Sequence, residues 1–446
     1  MCDKILTKGE TETKVVLIKK YKYTRHLVLN KPRDLNCIWI KNVSILYPYL
    51  KVWEKSTEAK LITISGGGSK RKIFSAGGDI KSIAGLLAKE ESSATDEVIN
   101  NLGKFYELLQ FIGTMKTPII AVMDGIIMGA GSGLIGQLPF KIATENTVYA
   151  MPETAIGSFT DSSTTFTLSR FDGNLGLYLG LTGSRVYAED VVFCGLASHF
   201  VHSSNLDAMN AKLAELSHPT LDLINNIIQE FSVKADHVPS KYSLFGEKLN
   251  IIDRCFNFNT VEEIVQSLIK DGSKFALGCV KSILRGSPTS LKVMMESLRR
   301  AENLSYNECI RMEFRLWQRM PYTHDLKEGM VGHVNGKRVC TWIPAKLEDI
   351  DVEDDIRVNL FDALETHQLN FATETDFYVN PHGRYSLPLQ TEIDDVISRY
   401  SFQNSEDIIA WFEVSRPGKF GVRQKVEDYL KRQKGETVFE KAIAKF

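Results

Sequence analysis

A glycine-rich stretch, Gly125-Ile-Ile-Met-Gly-Ala-Gly-Ser-Gly133, constrains this chain more than any other feature. It follows the apolar run Ile119, Ile120, Ala121, Val122, Met123, which reads as a buried strand. Small residues between a strand and a helix let the backbone approach a ligand closely, and the exposed N–H groups of a helix start can hold an anionic oxygen. Soon after comes Met151-Pro-Glu-Thr-Ala-Ile-Gly157, and with it two acids, Glu153 and Asp161, on a segment punctuated by Pro and Gly. Such a composition suits a site wall better than a core helix. Donors and acids together point to carbonyl chemistry.

A second stretch repeats the pattern. Ile73-Phe-Ser-Ala-Gly-Gly-Asp-Ile80 is a strand end, then small residues, then an acid at a helix start. Taken alone it reads as a tight turn with Asp79 as a helix cap; paired with the first stretch it is a second place for backbone donors. Residues 101–112 carry Leu102, Phe105, Leu108, Leu109 and Ile112 on one face of a predicted helix. Upstream, 15–18 and 23–29 read as a hairpin split by Lys19, Lys20, Tyr21 and Lys22. Residues 35–53 read as a helix that Pro48 interrupts, and 61–64 as a strand. Alternating strands and helices predict an α/β domain. Further on the pattern turns helical, at 175–181, 188–192, 206–216, 261–269 and 306–316, with Ser287 capping another helix that has Pro288 in its first turn.

Charge narrows the function classes. The 54 Lys and Arg balance 55 Asp and Glu, so no bulk charge advertises a nucleic acid or an acidic partner. Seven scattered cysteines without a C-x-x-C pair suit reduced thiols. No apolar run is long enough for a membrane span, and the first twelve residues, with Asp3, Glu10, Glu12 and no Arg, are unlike a typical mitochondrial presequence. Locally the balance fails. Residues 346–376 hold ten acids and two bases, which reads as a linker or solvated arm, whereas 416–446 hold nine bases and four acids. That basic end reads first as a solvated face and second as a surface for RNA or an acidic protein. The expected organisation is an arm (1–13), an α/β core (14–205), a helical part completing the site (206–345), an acidic linker (346–384) and a basic helical extension (385–446).

Other readings of the glycine turn fail on single positions. A dinucleotide fingerprint starting at Gly129 meets Leu134 where its third glycine belongs, and no Gly-Lys-Ser/Thr ends a phosphate loop. His199 and His202 lack a third ligand, so no metal is expected.

Phe74-Ser-Ala-Gly-Gly-Asp79, Asp124-Gly-Ile-Ile-Met-Gly-Ala-Gly-Ser-Gly133 and Met151-Pro-Glu-Thr-Ala-Ile-Gly157, in this order and spacing, resemble the crotonase (enoyl-CoA hydratase/isomerase) superfamily. Phe159-Thr-Asp161, Leu179-Gly-Leu-Thr-Gly183, Ser287-Pro-Thr-Ser-Leu291 and Lys327-Glu-Gly-Met330 are similar to its 3-hydroxyisobutyryl-CoA hydrolase branch, over residues 14–345. Tyr385-Ser-Leu-Pro388, Glu392-Ile393 and Gly418-Lys-Phe-Gly421 are similar to the C-terminal extension of yeast mitochondrial members.

The resemblance implies a crotonase-like spiral of ββα units with a helical C-terminal part. It implies a thioester oxygen held by the backbone N–H groups of Gly78 and Ala130, with Glu153 as principal acid/base and Asp161 orienting the 3-hydroxyl of the substrate. Ala76, Gly77, Asp79 and Phe105 become substrate-binding positions, and Lys70, Arg71 and Lys72 candidates for the phosphates of coenzyme A. The implied reaction is hydrolysis of 3-hydroxyisobutyryl-CoA in mitochondrial valine breakdown, with no cofactor beyond the coenzyme A of the substrate. A second implication is a structural component of the small subunit of the mitochondrial ribosome, with reduced or no activity, bound through the basic extension. The resemblance allows a homo-oligomer and involves no membrane. An enoyl-CoA hydratase fits less well, because Gly133 stands where hydratases place a second glutamate. Three departures leave reduced or altered activity open: Ala130 replaces a glycine, Phe105 replaces a Glu before Tyr106, and Thr160-Asp-Ser-Ser-Thr-Thr165 replaces a Pro-Asp-Val-Gly-Gly-Gly-like turn.

Overall fold

The computed structural model describes residues 15–68, 72–237, 239, 243–334 and 339–434. Its strands are β1 (Val16–Tyr21), β2 (Thr24–Leu29), β3 (Leu61–Gly66), β4 (Ile73–Ser75), β5 (Ile119–Met123), β6 (Ile126–Met128), β7 (Phe140–Ala143), β8 (Val148–Ala150), β9 (Val186–Tyr187) and β10 (His199–Phe200). One sheet runs β1-β2-β3-β5-β7-β10 and the other β4-β6-β8-β9. Pairing is parallel except at β1 with β2 and β8 with β9. Consecutive strands alternate between sheets: β3, β5 and β7 enter the large sheet and β4, β6 and β8 the small one. Each pair then turns into a helical segment, which makes the chain an α/β spiral of ββα units.

The central strand explains why the apolar run is unbroken. Ile119, Ala121 and Met123 enter the main core, while Ile120 and Val122 belong to a second cluster on the opposite face with Phe140, Ile142, Met209 and Ile228. Helices Leu206–Ala214 and Leu221–Phe231 cover that face. A parallel strand buried on both faces needs apolar residues at every position.

Some boundaries differ from expectation. Lys19, Lys20 and Tyr21 extend β1, and the hairpin turns at Lys22, which adopts a positive φ of 41°. Pro48 lies inside helix Ile40–Glu54 without ending it. The glycine-rich stretch is not a single strand-to-helix turn: it contains β6 before helix Ala130–Gly133.

The acid-rich segment is a packed strap rather than a solvated linker. Its acids alternate with Leu347, Ile350, Ile356, Leu360 and Phe361, which are buried. Asp351 caps a π-helical stretch, Val352–Phe361, by accepting from the N–H groups of Glu353 and Asp354. The strap continues along helix Tyr306–Trp317: Arg315 pairs with Glu365, Gln318 accepts from the Thr366 N–H at 2.7 Å, and Phe377 stacks on Tyr306 with centroids 4.9 Å apart.

The basic extension spends its charge internally. Helices Gln390–Arg399, Ser405–Ser415 and Val422–Gln433 dock on the core. Arg416 meets Glu392, Arg423 meets Glu406 and Glu413, Lys425 meets Asp172, Lys431 meets Glu427, and Arg432 meets Asp253 and Asp428. Lys419 is buried and donates to the Ser198 carbonyl at 2.7 Å, with burial pushing its pKa down to about 7. Phe420 enters the core beside Phe193, Phe200 and His237. Arg416, Lys419, Arg423, Lys425, Lys431 and Arg432 are thus partnered within the chain, while Lys434 is exposed and donates to Ser405 Oγ at 3.0 Å; Lys441 and Lys445 lie outside the described residues.

Candidate active site

The two glycine-containing turns meet. A Cβ added to Gly77 would stand 3.4 Å from the Met128 carbonyl oxygen and 3.8 Å from the Ala130 nitrogen. Ile38 donates to the Gly77 carbonyl and accepts from the Asp79 N–H, at 2.8 and 3.1 Å, which pins the loop around Gly78. Among the described residues neither Gly78 nor Ala130 donates its N–H to another group of the chain. Ala130 opens its helix with an ordinary negative φ, so its Cβ imposes no backbone strain.

These turns line a cleft of about 780 Å³, open mouth included. Gly78, Ala130, Glu153 and Asp161 all line it, with Ala76, Gly77 and Phe105. Apolar walls come from Ile38, Trp39, Ile83, Leu102, Ile156 and Met330. Unpaired N–H donors between apolar walls act strongly on any oxygen that acquires charge there.

Glu153 begins a 3₁₀ turn, Glu153–Ile156, that ends on left-handed Gly157. Its Oε2 accepts from Thr160 Oγ1 at 3.2 Å. Burial, then the nearby charge of Asp161, pushes its pKa up to about 8. Asp161 is also buried, and burial raises its pKa while three side-chain hydrogen bonds and one from its own backbone oppose the rise. Tyr106 Oη donates to its Oδ2 at 2.7 Å, Trp317 Nε1 to the same oxygen at 2.6 Å, and Ser162 Oγ to Oδ1 at 3.1 Å.

Sequence reasoning missed Trp317 and Glu313. Both lie on helix Tyr306–Trp317 at i and i+4, so they share a face. Glu313 is fully buried, accepts from the N–H of Ser163 at 2.5 Å and of Thr165 at 3.1 Å, and takes the Thr165 hydroxyl. Burial, then Asp161, pushes its pKa up to about 8. Those donors hold a turn in which Ser162 and Ser163 have φ of 62° and 65°, a conformation that costs a non-glycine residue about 1–2 kcal/mol. The glycine-free turn is thus formed, with a buried carboxyl fastening it. The available signal was an acid in the apolar stripe of Tyr306, Ile310 and Trp317.

Other expectations need correcting. Asp79 does not line the cleft: it caps helix Ile80–Leu87 through the Ser82 N–H at 3.1 Å and pairs with Lys31 at 3.3 Å. Lys72 also stands outside the lining, paired with Asp124 at 2.8 Å; Lys70 and Arg71 lie outside the described residues. Phe105 is in the cleft, as an apolar wall. His199 is buried against Ser198 and Gln229, while His202 faces Glu145. Gly133 lies under the Asp161 turn, where a Cβ would come within 2.1 Å of the Ser162 carbonyl oxygen, so no acidic side chain fits at that position without moving the turn.

The sequence profile described as enoyl-CoA hydratase/isomerase matches residues 24–358. The human mitochondrial 3-hydroxyisobutyryl-CoA hydrolase is 35% identical, over 82% of this chain and 93% of its own length; the rat hydrolase is also 35% identical, over 77% and 88%. Small ribosomal subunit protein mS47 of Neurospora crassa is 33% identical over 94% of this chain and 86% of its own length. Among solved structures, a carnitinyl-CoA dehydratase from Mycobacterium thermoresistibile superposes with a TM-score of 0.72 at 28% identity, covering 81% of this chain and all of that one. Its fold and its sequence agree: the chain belongs to the enoyl-CoA hydratase/isomerase family, the crotonase superfamily.

Proposed function

We propose that this chain is a mitochondrial acyl-CoA thioester hydrolase that converts 3-hydroxyisobutyryl-CoA and water into 3-hydroxyisobutyrate and coenzyme A. The observation that carries the reading is the pair of buried carboxyls, Glu153 and Asp161, in an apolar cleft that two unpartnered N–H groups also line. The thioester oxygen sits between the N–H groups of Gly78 and Ala130, which stabilise it as it becomes an oxyanion; one such donor contributes roughly 3 kcal/mol. Glu153, a stronger base for its burial, takes a proton from the attacking water or attacks the carbonyl itself. Asp161 accepts a hydrogen bond from the 3-hydroxyl. The C–S bond breaks, and the proton that Glu153 took from water passes to the departing thiolate; if Glu153 attacks instead, water afterwards hydrolyses the acyl-glutamate anhydride, freeing the acid and the carboxylate and supplying the thiolate's proton. Coenzyme A is part of the substrate, and the reaction uses no other cofactor. The curated hydrolases of similar sequence support this substrate and a mitochondrial location.

The test is thiol release from 3-hydroxyisobutyryl-CoA, with crotonyl-CoA as control and Glu153→Gln as the variant. Release from the first substrate alone, abolished in the variant, supports the hydrolase. A folded protein that turns over neither substrate sinks it.

One observation favours a second role, as a component of the small ribosomal subunit. The match to the Neurospora crassa ribosomal protein covers 94% of the chain, and so must take in most of the segment beyond the family profile, which ends at residue 358. Co-sedimentation of the tagged full chain with mitochondrial small subunits tests this, and its absence from those fractions would rule it out. The two roles are compatible.

A further inference from the structure

One polar contact of the cleft is an indole N–H aimed at a carboxylate. Trp317 is buried, its ring lies 6.1 Å from that of Phe159, and it lines the cleft on the side of Asp161. An indole has one donor and no acceptor, so its N–H can be satisfied by any carbonyl. Here it converges at 2.6 Å with Tyr106 Oη on one oxygen of Asp161, each from a different helix. Two donors on Oδ2 fix the carboxyl plane and saturate that oxygen. Among the described residues the side-chain donor to Oδ1 is Ser162 Oγ, at 3.1 Å, a longer contact than either one on Oδ2, and a carboxylate oxygen has a second acceptor position to offer. Phe105 is apolar and offers a substrate hydroxyl no partner; of the polar lining residues, Asn101, Ser158, Ser162, Glu153 and Asp161, the last is the one held by two converging donors.

We propose that Trp317 is a positioning residue for substrate selection: its indole N–H, with the Tyr106 hydroxyl, orients Asp161 so that Oδ1 is the acceptor for the 3-hydroxyl of the acyl group. This deepens the hydrolase reading and rests on it. Trp317 does not touch the reacting carbonyl; it acts through Asp161. A substrate with the 3-hydroxyl therefore depends on this contact, and a substrate without it does so much less.

The experiment compares kcat/KM for 3-hydroxyisobutyryl-CoA and isobutyryl-CoA in the wild-type chain and in Trp317→Phe, with thermal unfolding to establish folding. The expected result is a drop of about tenfold in the ratio of the two values, the scale of one hydrogen bond to a charged group. A second arm places 3-benzothienylalanine at position 317, which keeps the shape of the ring system and removes only the N–H; the same drop is expected. Tyr106→Phe, which removes the companion donor, should move the ratio in the same direction. An unchanged ratio in the benzothienyl protein, with the wild type active, overturns the positioning role and leaves the hydrolase intact. A wild-type chain that hydrolyses neither substrate overturns both.

Discussion

Glu153 rests directly over the backbone of Gly129: a Cβ built on this glycine would lie 2.9 Å from the carboxyl oxygen Oε1. The same residue has φ 47° and ψ −126°, which side chains other than hydrogen rarely permit. Gly129→Ala should therefore push Glu153 off its position and strain the turn that presents the Ala130 N–H. We expect a stability loss of about 1–3 kcal/mol in denaturant titration, with thioester turnover reduced further than any fall in folded fraction explains.

The pH dependence has two opposite faces. Catalysis needs the Glu153 carboxylate, and its pKa lies at about 8, so kcat/KM should rise with pH through neutrality and level off above that value. Stability runs the other way. The folded pKa is raised above the ordinary 4.5, so this carboxyl stabilises the fold fully below 4.5, and its contribution is lost as pH rises towards 8. Glu153→Gln has no proton to lose, and its Tm advantage over the wild type should widen between pH 5 and pH 8. A constant difference across that range would contradict the burial of this acid.

The Asp161 turn supplies a stability test. Glu313→Ala leaves the Ser163 and Thr165 N–H groups buried without their acceptor. The expected cost is about 3 kcal/mol or more, measured by denaturant unfolding. Ser163→Gly removes a left-handed non-glycine residue while keeping the N–H that Glu313 accepts. It should stabilise the fold by about 1 kcal/mol or less, and a destabilised variant would show that the serine hydroxyl matters more than the strain.

Phe420→Ala tests whether the extension is part of the fold. The ring fills a space between Phe193 and Phe200 and is 3% exposed. Truncating such a side chain costs about 3–5 kcal/mol. A drop of that size in a single cooperative transition marks the extension as integral; a near-neutral result would mean it folds apart.

Much of the site was legible because its parts are local. The turns at Gly77, Gly129 and Glu153 announce themselves through small residues and proline, since backbone needs leave marks on the residues that meet them. Asp79 was legible too as a helix cap, the plainer of its two readings. Trp317 and Glu313 were not, because an amphipathic helix reads as core, and nothing in the residues 306–317 says that the facing element carries Asp161. The basic extension misled for the same reason. Arg432 meets Asp253 and Lys425 meets Asp172, partners far away in sequence, so a run of bases looked unspent. In the strap, acids outnumber the buried apolar residues, and composition hid the periodic Leu347, Ile350, Ile356 and Leu360 that bind it to the helices.

The strap crosses both helices that grip Asp161. On helix Ser92–Thr114, which carries Tyr106, Glu107 accepts from the Asn370 N–H at 2.9 Å and Gln110 donates to the Thr373 carbonyl at 3.2 Å. On the Trp317 helix it is tied at Arg315 and stacked on Tyr306. Mechanically this is a tie-rod. The two helices also touch directly, through Tyr106 and Phe314, whose rings lie 5.8 Å apart, and through the Tyr306 hydroxyl on the Leu109 carbonyl at 2.9 Å. The strap adds ties from outside, so the convergence of two donors on Asp161 is braced by residues more than two hundred positions later in the chain.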